Sequence, residues 1–424
     1  MNEKLQSRRR IFYVSSENGN DMNNGFTPFE AWKTFKFVNS DFIKPGDAVL
    51  FEKGSLWREQ LLCRSGVYYG SFGEGEMPKI YGSVKSDKET DWILVSEKLW
   101  KYAGTCNISV DIGLIINTDE TDWGFKKFSL DDLEQNFDFY YNKENGGEVY
   151  IFADENPVKK YGCLEMGIRR TNIYFNDCSD IEIEGLCIKY TGAHGIQATL
   201  SKNVVIRDCE FAWIGGSLQM VLDGRNVRYG NAVEFWMSCK NVLVENCRIN
   251  QVYDAGITHQ YAWWKCQEPF RAEDSDIGMK NVTYRNNVIE NCNYSFEFFL
   301  GSTNGCMENI LICDNVCRNA GGWGANQRDD KNTAKHIKGS YKASNANEKA
   351  VIIRNNVFDS SVAGCIRGLK DGIFVYESNK YICKKDSILF GEAKWSEPLV
   401  LRANEEDAEQ FKEIIDKNAE IIIK

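Results

Sequence analysis

The sequence predicts an all-β solenoid, in which short coils stack along one shared core. Five segments repeat one pattern, with β-branched or aromatic residues at alternate positions before an Asn or Asp and a further apolar residue. They are NVVIRDCEF from Asn203, NVLVENCRI from Asn241, NVTYRNNVI from Asn281, NILICDNVC from Asn309 and AVIIRNNVF from Ala350. Period-two alternation indicates strands, and the recurrence of a strand-length unit indicates a repeat protein. Such a unit cannot bury its apolar face alone, so neighbouring coils must stack.

Composition restricts the class of protein. The 424 residues are 43% hydrophobic and 26% charged, as in ordinary globular proteins, and the net charge of -10 argues against general nucleic-acid binding. No segment reaches the ~18 apolar residues that a membrane helix needs. The N-terminal MNEKLQSRRR leads directly into the strand IFYVSS without the apolar core of a signal peptide. We therefore expect a cytoplasmic protein, or a secreted one if a leader was removed; the sequence does not indicate its oligomeric state.

The cysteines predict reduced thiols. Of 15 cysteines, Cys209, Cys247 and Cys292 fall at equivalent positions in successive repeats. Free cysteine behaves as a small buried hydrophobe, so we predict that these three are buried and unpaired. No Cys-x-x-Cys pair lies near paired histidines, so we expect no zinc site, and no motif indicates another metal or a cofactor.

Four regions follow one another along the chain. Residues 1–83 are predicted to form an N-terminal cap and the first coils, with Pro28 opening an amphipathic capping helix that covers the solenoid end. Residues 84–168 break the repeat and are rich in Trp and Phe, which indicates an inserted β-subdomain. Residues 169–395 carry the remaining coils and the site, and residues 396–424 contain a polar amphipathic helix that we expect to brace the C-terminus.

Three stretches resemble the pectate-lyase-like, right-handed parallel β-helix proteins. They are GNDMNNGFTPFEAWKTF, KPGDAVLFEKG and the repeat NVxIxNC. The resemblance implies a right-handed parallel β-helix and a carbohydrate-active enzyme, chiefly a glycoside hydrolase or polysaccharide lyase, with its site on the outer face of one sheet. It does not extend to the Asp clusters of calcium-dependent pectate lyases, and Asn117–Thr118–Asp119, which echoes a polygalacturonase segment, lies before the main coils. The roles of those motifs are therefore not carried over.

The strand that follows each repeat predicts which side chains face outward. We align these strands on their inward apolar residues, namely Ile196, Val233, Ile257, Phe296, Ala325 and Ile366. Successive side chains alternate faces, so the next residues point outward: Gln197, Glu234, Thr258, Glu297, Asn326 and Arg367. Glu234 and Glu297 are then two coils apart, or about 9–10 Å at the backbone. That is near the upper end of the separation at which one carboxyl protonates a leaving group while another activates water.

Four residues are candidates for catalysis. They are Asp254, Glu297, Glu234 and His259. Asp254 precedes Ala255–Gly256 and is expected at the rim beside the coil of Glu234. His259 falls at an inward position, so it is either a core histidine or, if a local bulge turns it outward, an acid/base group beside Asp254.

Aromatic and polar residues near the same face are candidates for substrate binding. They are Trp236, Gln260, Trp323, Gln327, Arg328, His194 and Trp263. Flat rings stack on sugar faces, and Arg328 could clamp a substrate carboxylate or pair with a neighbouring aspartate. Three long excursions, over residues 214–230, 261–278 and about 329–349, are predicted to form the walls of one cleft.

Three functions fit this arrangement. The first is a glycoside hydrolase that acts on a poly- or oligosaccharide with two carboxyl groups drawn from Glu234, Asp254 and Glu297. The second is a polysaccharide lyase or uronate epimerase, in which His259 or a nearby Tyr is the base and Arg328 neutralises the uronate. The third is a solenoid that binds glycans without turnover. In each case the expected partner is a carbohydrate, with neither nucleic acid nor membrane.

Overall fold

A computed structural model of the protein describes residues 3–261, 278–300, 306–328, 333–341, 349–367, 372–391 and 399–424. Strands dominate these residues. Their helices are Glu3–Gln6, Pro157–Tyr161, Gly322–Ala325 and Glu405–Ile414, with 3-10 turns at Pro28–Glu30, Glu89–Asp91 and Glu144–Gly146. Within the same residues, none of the helices has the length and apolar character needed to cross a membrane.

The first face of the solenoid is a ten-stranded parallel sheet, as the repeats predict. Its strands, in order, are Ile11–Val14, Ala48–Glu52, Tyr68–Phe72, Ser179–Glu184, Lys202–Arg207, Lys240–Glu245, Gly278–Arg285, Cys306–Cys313, Val351–Arg354 and Phe374–Glu377. The repeats pair in parallel and in register, with Val204 opposite Val242 and Val242 opposite Val282. These inward residues are almost fully buried, so each coil completes its core only against its neighbours.

Two further faces complete each coil. The second face contains Leu56–Trp57, Lys79–Tyr81, Cys187–Thr191, Glu210–Ile214, the first part of Arg248–Tyr261 and of Val288–Leu300, Val316–Ala320, Val357–Ser361, Lys380–Cys383 and Glu420–Ile423. The third face contains Leu61–Leu62, Ile173–Asn176, Ile196–Thr199, Val233–Trp236, the second part of those two long strands, Lys335–Tyr341, Gly364–Arg367, Ile388–Gly391 and the antiparallel Val400–Arg402. The predicted all-β parallel β-helix is confirmed.

Buried asparagines stack at the turn between the first and second faces. The side-chain oxygens of Asn315, Asn356 and Asn379 accept hydrogen bonds from the backbone N–H of the residue one coil earlier, at 2.9–3.0 Å. At the C-terminal end the ladder stops on Asp416, whose Oδ2 accepts from the backbone N and the Nδ2 of Asn379 at 3.0 and 2.9 Å. The ladder therefore satisfies turn amides that have no strand partner.

The asparagine that begins most of the repeats has a conformational role. Asn203, Asn241, Asn281 and Asn309 have φ angles between 52° and 56°, in the left-handed region that Asn tolerates better than most residues. Each side chain donates to the equivalent one in the preceding coil, as Asn281 Nδ2 does to Asn241 Oδ1 at 2.9 Å. The recurrence of asparagine at this position thus has a local conformational cause as well as a hydrogen-bonding one.

The predicted N-terminal capping helix is wrong. After the short 3-10 turn Pro28–Glu30, the chain becomes extended, because Trp32 forms a parallel bridge with Val14 and its N–H donates to Tyr13 O at 2.9 Å. Trp32 and Phe35 are nevertheless buried in the solenoid core. The apolar spacing marked buried positions correctly, but pairing with the first strand overrode the helical pattern.

Residues 83–168 form two mainly antiparallel sheets beside the early coils. One contains Lys126–Lys127, Phe139–Asn142, Glu148–Phe152, Leu99–Tyr102 and Trp92–Ser96, in that order; the other contains Ile112–Asn117, Leu164–Ile168 and Ser83–Ser86. We call this region the inserted subdomain; its apolar core includes Ile115, Phe139 and Met166. A separate hairpin, Ser217–Leu222 with Arg225–Tyr229, lies between it and the third face and is called the site hairpin.

The C-terminal helix Glu405–Ile414 is confirmed. Asn404 caps it by accepting a hydrogen bond from Asp407 N at 2.8 Å, and Phe411 packs into the end of the core. The chain then returns as Glu420–Ile423, which pairs in parallel with Lys380–Cys383. The predicted brace is therefore a helix together with a final strand that covers a sheet edge.

The three predicted thiols lie in the core. Cys209, Cys247 and Cys292 are each 1% exposed, and all three are free. Burial raises the pKa of the Cys292 thiol above its ordinary value. These side chains therefore act as small apolar core residues, as their equivalent positions in the repeat predict.

Candidate functional site

The third face carries a column of outward side chains beneath a cavity of about 460 Å³. Strand pairing places Gln197, Glu234, Thr258, Glu297 and Lys338 side by side in successive coils. The predicted register of Glu234 and Glu297 is confirmed, with Thr258 between them. The prediction that Asn326 follows Glu297 is wrong, because Gly322–Ala325 is a helical turn and the next strand of this face is Lys335–Tyr341.

Glu297 accepts hydrogen bonds from two donors. Lys338 Nζ donates to Glu297 Oε1 at 2.6 Å, and Gln260 Nε2 donates to Glu297 Oε2 at 3.0 Å. Burial is the largest single influence and works to lower the pKa of Lys338, but the charge and hydrogen bond of Glu297, with Tyr294 and Asp254 nearby, together raise it above the ordinary value. The pair therefore consists of an ammonium ion and a carboxylate that is only 6% exposed.

Asp254 has the opposite environment. Burial raises the pKa of this carboxyl; Arg328 works against the rise, and the nearby charge of Glu297 adds to it. Arg328 Nη1 donates to Asp254 Oδ1 at 3.2 Å, and the side chain of Asp254 is 17% exposed. Asp254 thus favours the protonated state more than an ordinary aspartate does.

Glu234 lies at the other end of the cavity floor. Its Oε2 accepts from Asn231 Nδ2, and it is 3% exposed. His194 Nδ1 is 3.8 Å from the same oxygen but accepts the backbone N–H of Asn231 at 3.1 Å. That nitrogen therefore carries no proton, and burial lowers the pKa of His194 to about 3, so the contact is not an ion pair. The neutral ring leaves its Nε2–H as the donor.

The cavity walls come from several elements. Trp236 and Gln260 extend from the third face, whereas Val227 and Tyr229 come from the site hairpin and Arg169 directly follows the inserted subdomain. Arg169 Nε donates to Tyr229 Oη at 3.4 Å, and its guanidinium lies 5.8 Å from the centre of the Tyr229 ring. The predicted wall over residues 214–230 is therefore a hairpin that contacts the inserted subdomain.

His259 does not face the cavity. Its side chain is fully buried, with Nδ1 3.2 Å from Tyr284 Oη and its ring 5.5 Å from that of Phe235. Burial lowers its pKa to about 3, so it is neutral. The strand has no bulge after Ala255 that would turn it outward, since His259 stays in register with Phe235 and Phe298. Placing His259 among the acid/base groups was therefore wrong.

Trp323 and Gln327 also differ from the prediction. Trp323 is 1% exposed and packs 5.6 Å from Tyr253, with Nε1 donating to Gln251 O at 3.0 Å, so it does not stand at the rim. Gln327 Nε2 donates to Gly124 O at 2.9 Å, which ties the inserted subdomain to the coils. Gln327 thus supports the wall and does not line the cavity. Trp263 lies outside the described residues.

Sequence reasoning missed Lys338, Arg169 and Asn231. Lys338 follows the inward Ile337 just as Glu297 follows Phe296, so the alternating pattern was present at residues 335–338. This stretch falls within the predicted excursion over about residues 329–349, but it belongs to the strand Lys335–Tyr341, in which His336 is buried. Arg169 and Asn231 lie at strand ends, where the inward–outward alternation of a strand does not predict the direction of a side chain. Across the described residues, no cluster of His, Cys, Asp and Glu is suited to a metal ion.

Comparisons with known proteins agree with this architecture. The family model described as right handed beta helix region matches residues 149–333. No curated protein matches the chain. Among solved structures, a GH136 lacto-N-biosidase from Eubacterium ramulus is similar with a TM-score of 0.49 and 16% identity; the match covers 90% of this chain but only 58% of that one.

Two other solved structures show comparable similarity. XylC in complex with xylose has a TM-score of 0.49 and 11% identity, over 97% of this chain and 82% of that one. An alginate lyase from Paenibacillus sp. has a TM-score of 0.41 and 11% identity, over 91% of this chain and 92% of that one. These values are low, so the fold assignment rests on the strand register and the matched family model. On that basis, the chain has the fold of a right-handed parallel β-helix.

Proposed function

We propose that the protein is a carbohydrate-active enzyme, and specifically a glycoside hydrolase whose working pair is Asp254 and Glu297. One observation carries this proposal: two carboxyl groups line the same cavity in environments that favour opposite protonation states. Glu297 has the ammonium group of Lys338 at 2.6 Å, whereas burial raises the pKa of Asp254 and favours its proton. Pairs of carboxyl groups with such different environments are the usual basis of acid/base assignments in glycosidases.

The two carboxyl groups have different roles in the proposed reaction. Asp254 donates its proton to the glycosidic oxygen as the bond from that oxygen to the anomeric carbon breaks. Glu297 accepts a proton from the water whose oxygen forms the new bond to the anomeric carbon. Because Asp254 Oδ1 accepts from Arg328, its proton belongs on Oδ2. Glu234, fixed by Asn231, lies two coils from Glu297 and supports the sugar or replaces one member of the pair.

Side chains around the pair supply orientation. Trp236 provides a flat apolar surface on which a sugar ring can stack. Gln260 bonds both Thr258 Oγ1 and Glu297 Oε2, which fixes the carboxylate. The neutral His194 contributes an Nε2–H donor near Glu234. These groups suit sugar hydroxyls better than an apolar ligand.

A polysaccharide lyase is the second candidate. The supporting observation is that Tyr229 lines the cavity with Arg169 Nε at 3.4 Å from its hydroxyl, while Arg328 lies close by. A tyrosine beside an arginine can abstract the proton α to a uronate carboxylate, and a second cation can stabilise the resulting charge. Arg328 is already bonded to Asp254, which weakens its role as a substrate clamp.

Product analysis separates the candidates. The protein is incubated with a broad panel of neutral and acidic oligosaccharides, and products are followed by reducing-end assay, mass spectrometry and ultraviolet absorbance. A hydrolase adds the mass of water and creates reducing ends without absorbance, whereas a lyase creates an unsaturated uronide that absorbs. Glu297→Gln should abolish the first activity, and Tyr229→Phe the second. Binding without turnover, unchanged in Glu297→Gln, would favour a glycan-binding solenoid and contradict the proposal.

A further inference from the structure

A second cavity, of about 650 Å³, lies next to the one that contains the carboxyl groups. The two share Arg169 and Gln219 as lining residues, so they adjoin at that point. We call the larger one the subdomain cavity, because most of its lining comes from the inserted subdomain, with the site hairpin on the opposite side. Its volume lies within the ~300–1,000 Å³ that is typical of ligand sites.

The subdomain cavity has a rigid base. Asp111 accepts from the backbone N of Leu218 at 2.6 Å and from Lys126 Nζ, which also donates to Ile112 O. Lys126 is only 7% exposed. The carboxylate therefore bridges the inserted subdomain and the site hairpin, and this bridge fixes the distance between the two walls.

The lining combines flat rings with hydrogen-bonding groups. Phe128, Tyr140 and Tyr141 supply aromatic surface, and the polar groups include Lys127, Asn142, Asn226 and Gln219. Such a combination matches a saccharide, whose C–H faces stack on rings while its hydroxyls bond to amides and ammonium groups. Burial raises the pKa of the Tyr140 hydroxyl, so it stays protonated and can donate a hydrogen bond.

We propose that the subdomain cavity binds further sugar residues of the same chain whose scissile bond lies over Asp254 and Glu297. The protein thus acts on oligosaccharides that cross the junction at Arg169 and Gln219, and contacts with the inserted subdomain make its affinity depend on their length. This inference rests on the proposed function for the location of the bond that is cleaved. It adds a binding site, supplied by the inserted subdomain, that lies away from the third face of the solenoid.

The test measures affinity against chain length. End-labelled oligosaccharides of two to six residues, in a β1,4-xylose series and an α1,4-galacturonate series, are titrated against Glu297→Gln protein, in which binding needs no turnover. In at least one series the affinity should rise with length. Tyr140→Ala should weaken binding of the longest member about tenfold, the loss expected for one aromatic contact, and leave the shortest within about twofold.

Two further variants keep the test decisive. Tyr150→Ala is the matched control, because Tyr150 is the cross-strand neighbour of Tyr140, bonds to Glu148, and is outside the cavity lining. Val110→Trp adds bulk at a lining residue that is 40% exposed, so it should block long ligands without disturbing the core. Equal losses in Tyr140→Ala and Tyr150→Ala, affinity independent of length, or failure of both series to bind would overturn the inference. Length-dependent binding by a protein that turns over no glycan would instead overturn the proposed function alone.

Discussion

Replacing Glu297 with Gln tests the mechanism most directly. The substitution keeps the shape of the side chain but removes its charge. Glu297 accepts from Lys338 and from Gln260, and an amide can accept through only one of its two terminal atoms. The new NH2 group must therefore face one donor, and Lys338 loses its anionic partner.

Two separate effects should follow from this geometry. Loss of one hydrogen bond to a charged group should lower the free energy of unfolding by about 1.5–3 kcal/mol. Loss of a general base should lower kcat by about 10²–10⁴-fold, or about 3–5 kcal/mol of activation free energy. The first is measured by urea unfolding and the second by initial rates, on whichever glycan the product analysis identifies.

The matched control is Glu290→Gln. Glu290 lies on the same strand, is paired with Arg318 at 2.9 Å, and has a side chain that is 35% exposed. It is outside the cavity, and an exposed ion pair is worth about 0–1 kcal/mol, so turnover should stay within about twofold of wild type. If Glu297→Gln unfolds as expected but keeps near-wild-type kcat, the two-carboxylate mechanism is refuted.

Three further outcomes are expected. Asp254→Asn should lower kcat about 10²–10⁴-fold yet raise the urea concentration at which the protein unfolds near pH 7. Burial raises the folded pKa of Asp254, so folding of the wild-type protein becomes less favourable as pH rises through that value. Lower stability of the variant at pH 7 would contradict this reasoning. Asn315→Ala should cost about 3–5 kcal/mol of unfolding free energy, because it removes the acceptor of Asn287 N and the donor to two backbone carbonyls in a buried turn. Asn281→Ala on the exposed ladder should cost only about 1 kcal/mol. Burial lowers the pKa values of His194, His259 and His336 to about 3, 3 and 4, so these histidines bind protons more weakly in the folded protein than in the unfolded chain. The free energy of unfolding should therefore fall as pH drops from 6.5 towards 4, with a limiting slope of about 4 kcal/mol per pH unit for three sites. Urea titrations that show no loss of stability in this range would contradict the burial of the three histidines.

The parallel core and the register of its outward residues could be predicted because both depend on local alternation. Val204 and Ile206 are buried and alternate with two half-buried residues over one strand, and Glu234 and Glu297 each follow an inward apolar residue. The pairing of strands in register then fixes the separation of outward groups without any further information. The amphipathic spacing of Trp32 and Phe35 gave burial correctly but the wrong element, because bridge formation with Val14 is a non-local contact.

The connections between coils could not be predicted from this alternation. After Val316–Ala320, left-handed Gly321 and Gly322 begin a helical turn, and Cβ at Gly322 would lie only 2.1 Å from Asn291 O. The apparent strand at Ala325–Asn326 is therefore part of a connection, and the true strand begins at Lys335. Connections in a solenoid can have any length, so constant spacing cannot locate the next coil. The alternation of Ile337 and Lys338 carries that information instead.

Lys338 also explains why two carboxyl groups of similar chemistry can have different roles. Successive strands of the third face are about 4.8 Å apart, so a cation one coil beyond Glu297 is close enough to bond it directly. Asp254 lies at the corner where the second face turns into the third. Its cationic partner is Arg328, which follows a helical turn, and Arg328 Nη1 lies 3.2 Å from Asp254 Oδ1. Burial therefore outweighs Arg328 and raises the pKa of Asp254, whereas at Lys338 the charge of Glu297 and the other nearby groups together outweigh burial and raise the pKa of the ammonium. The proposed acid and the proposed base thus differ in which connection supplies the neighbouring cation, a property of the assembled coils that no single repeat contains.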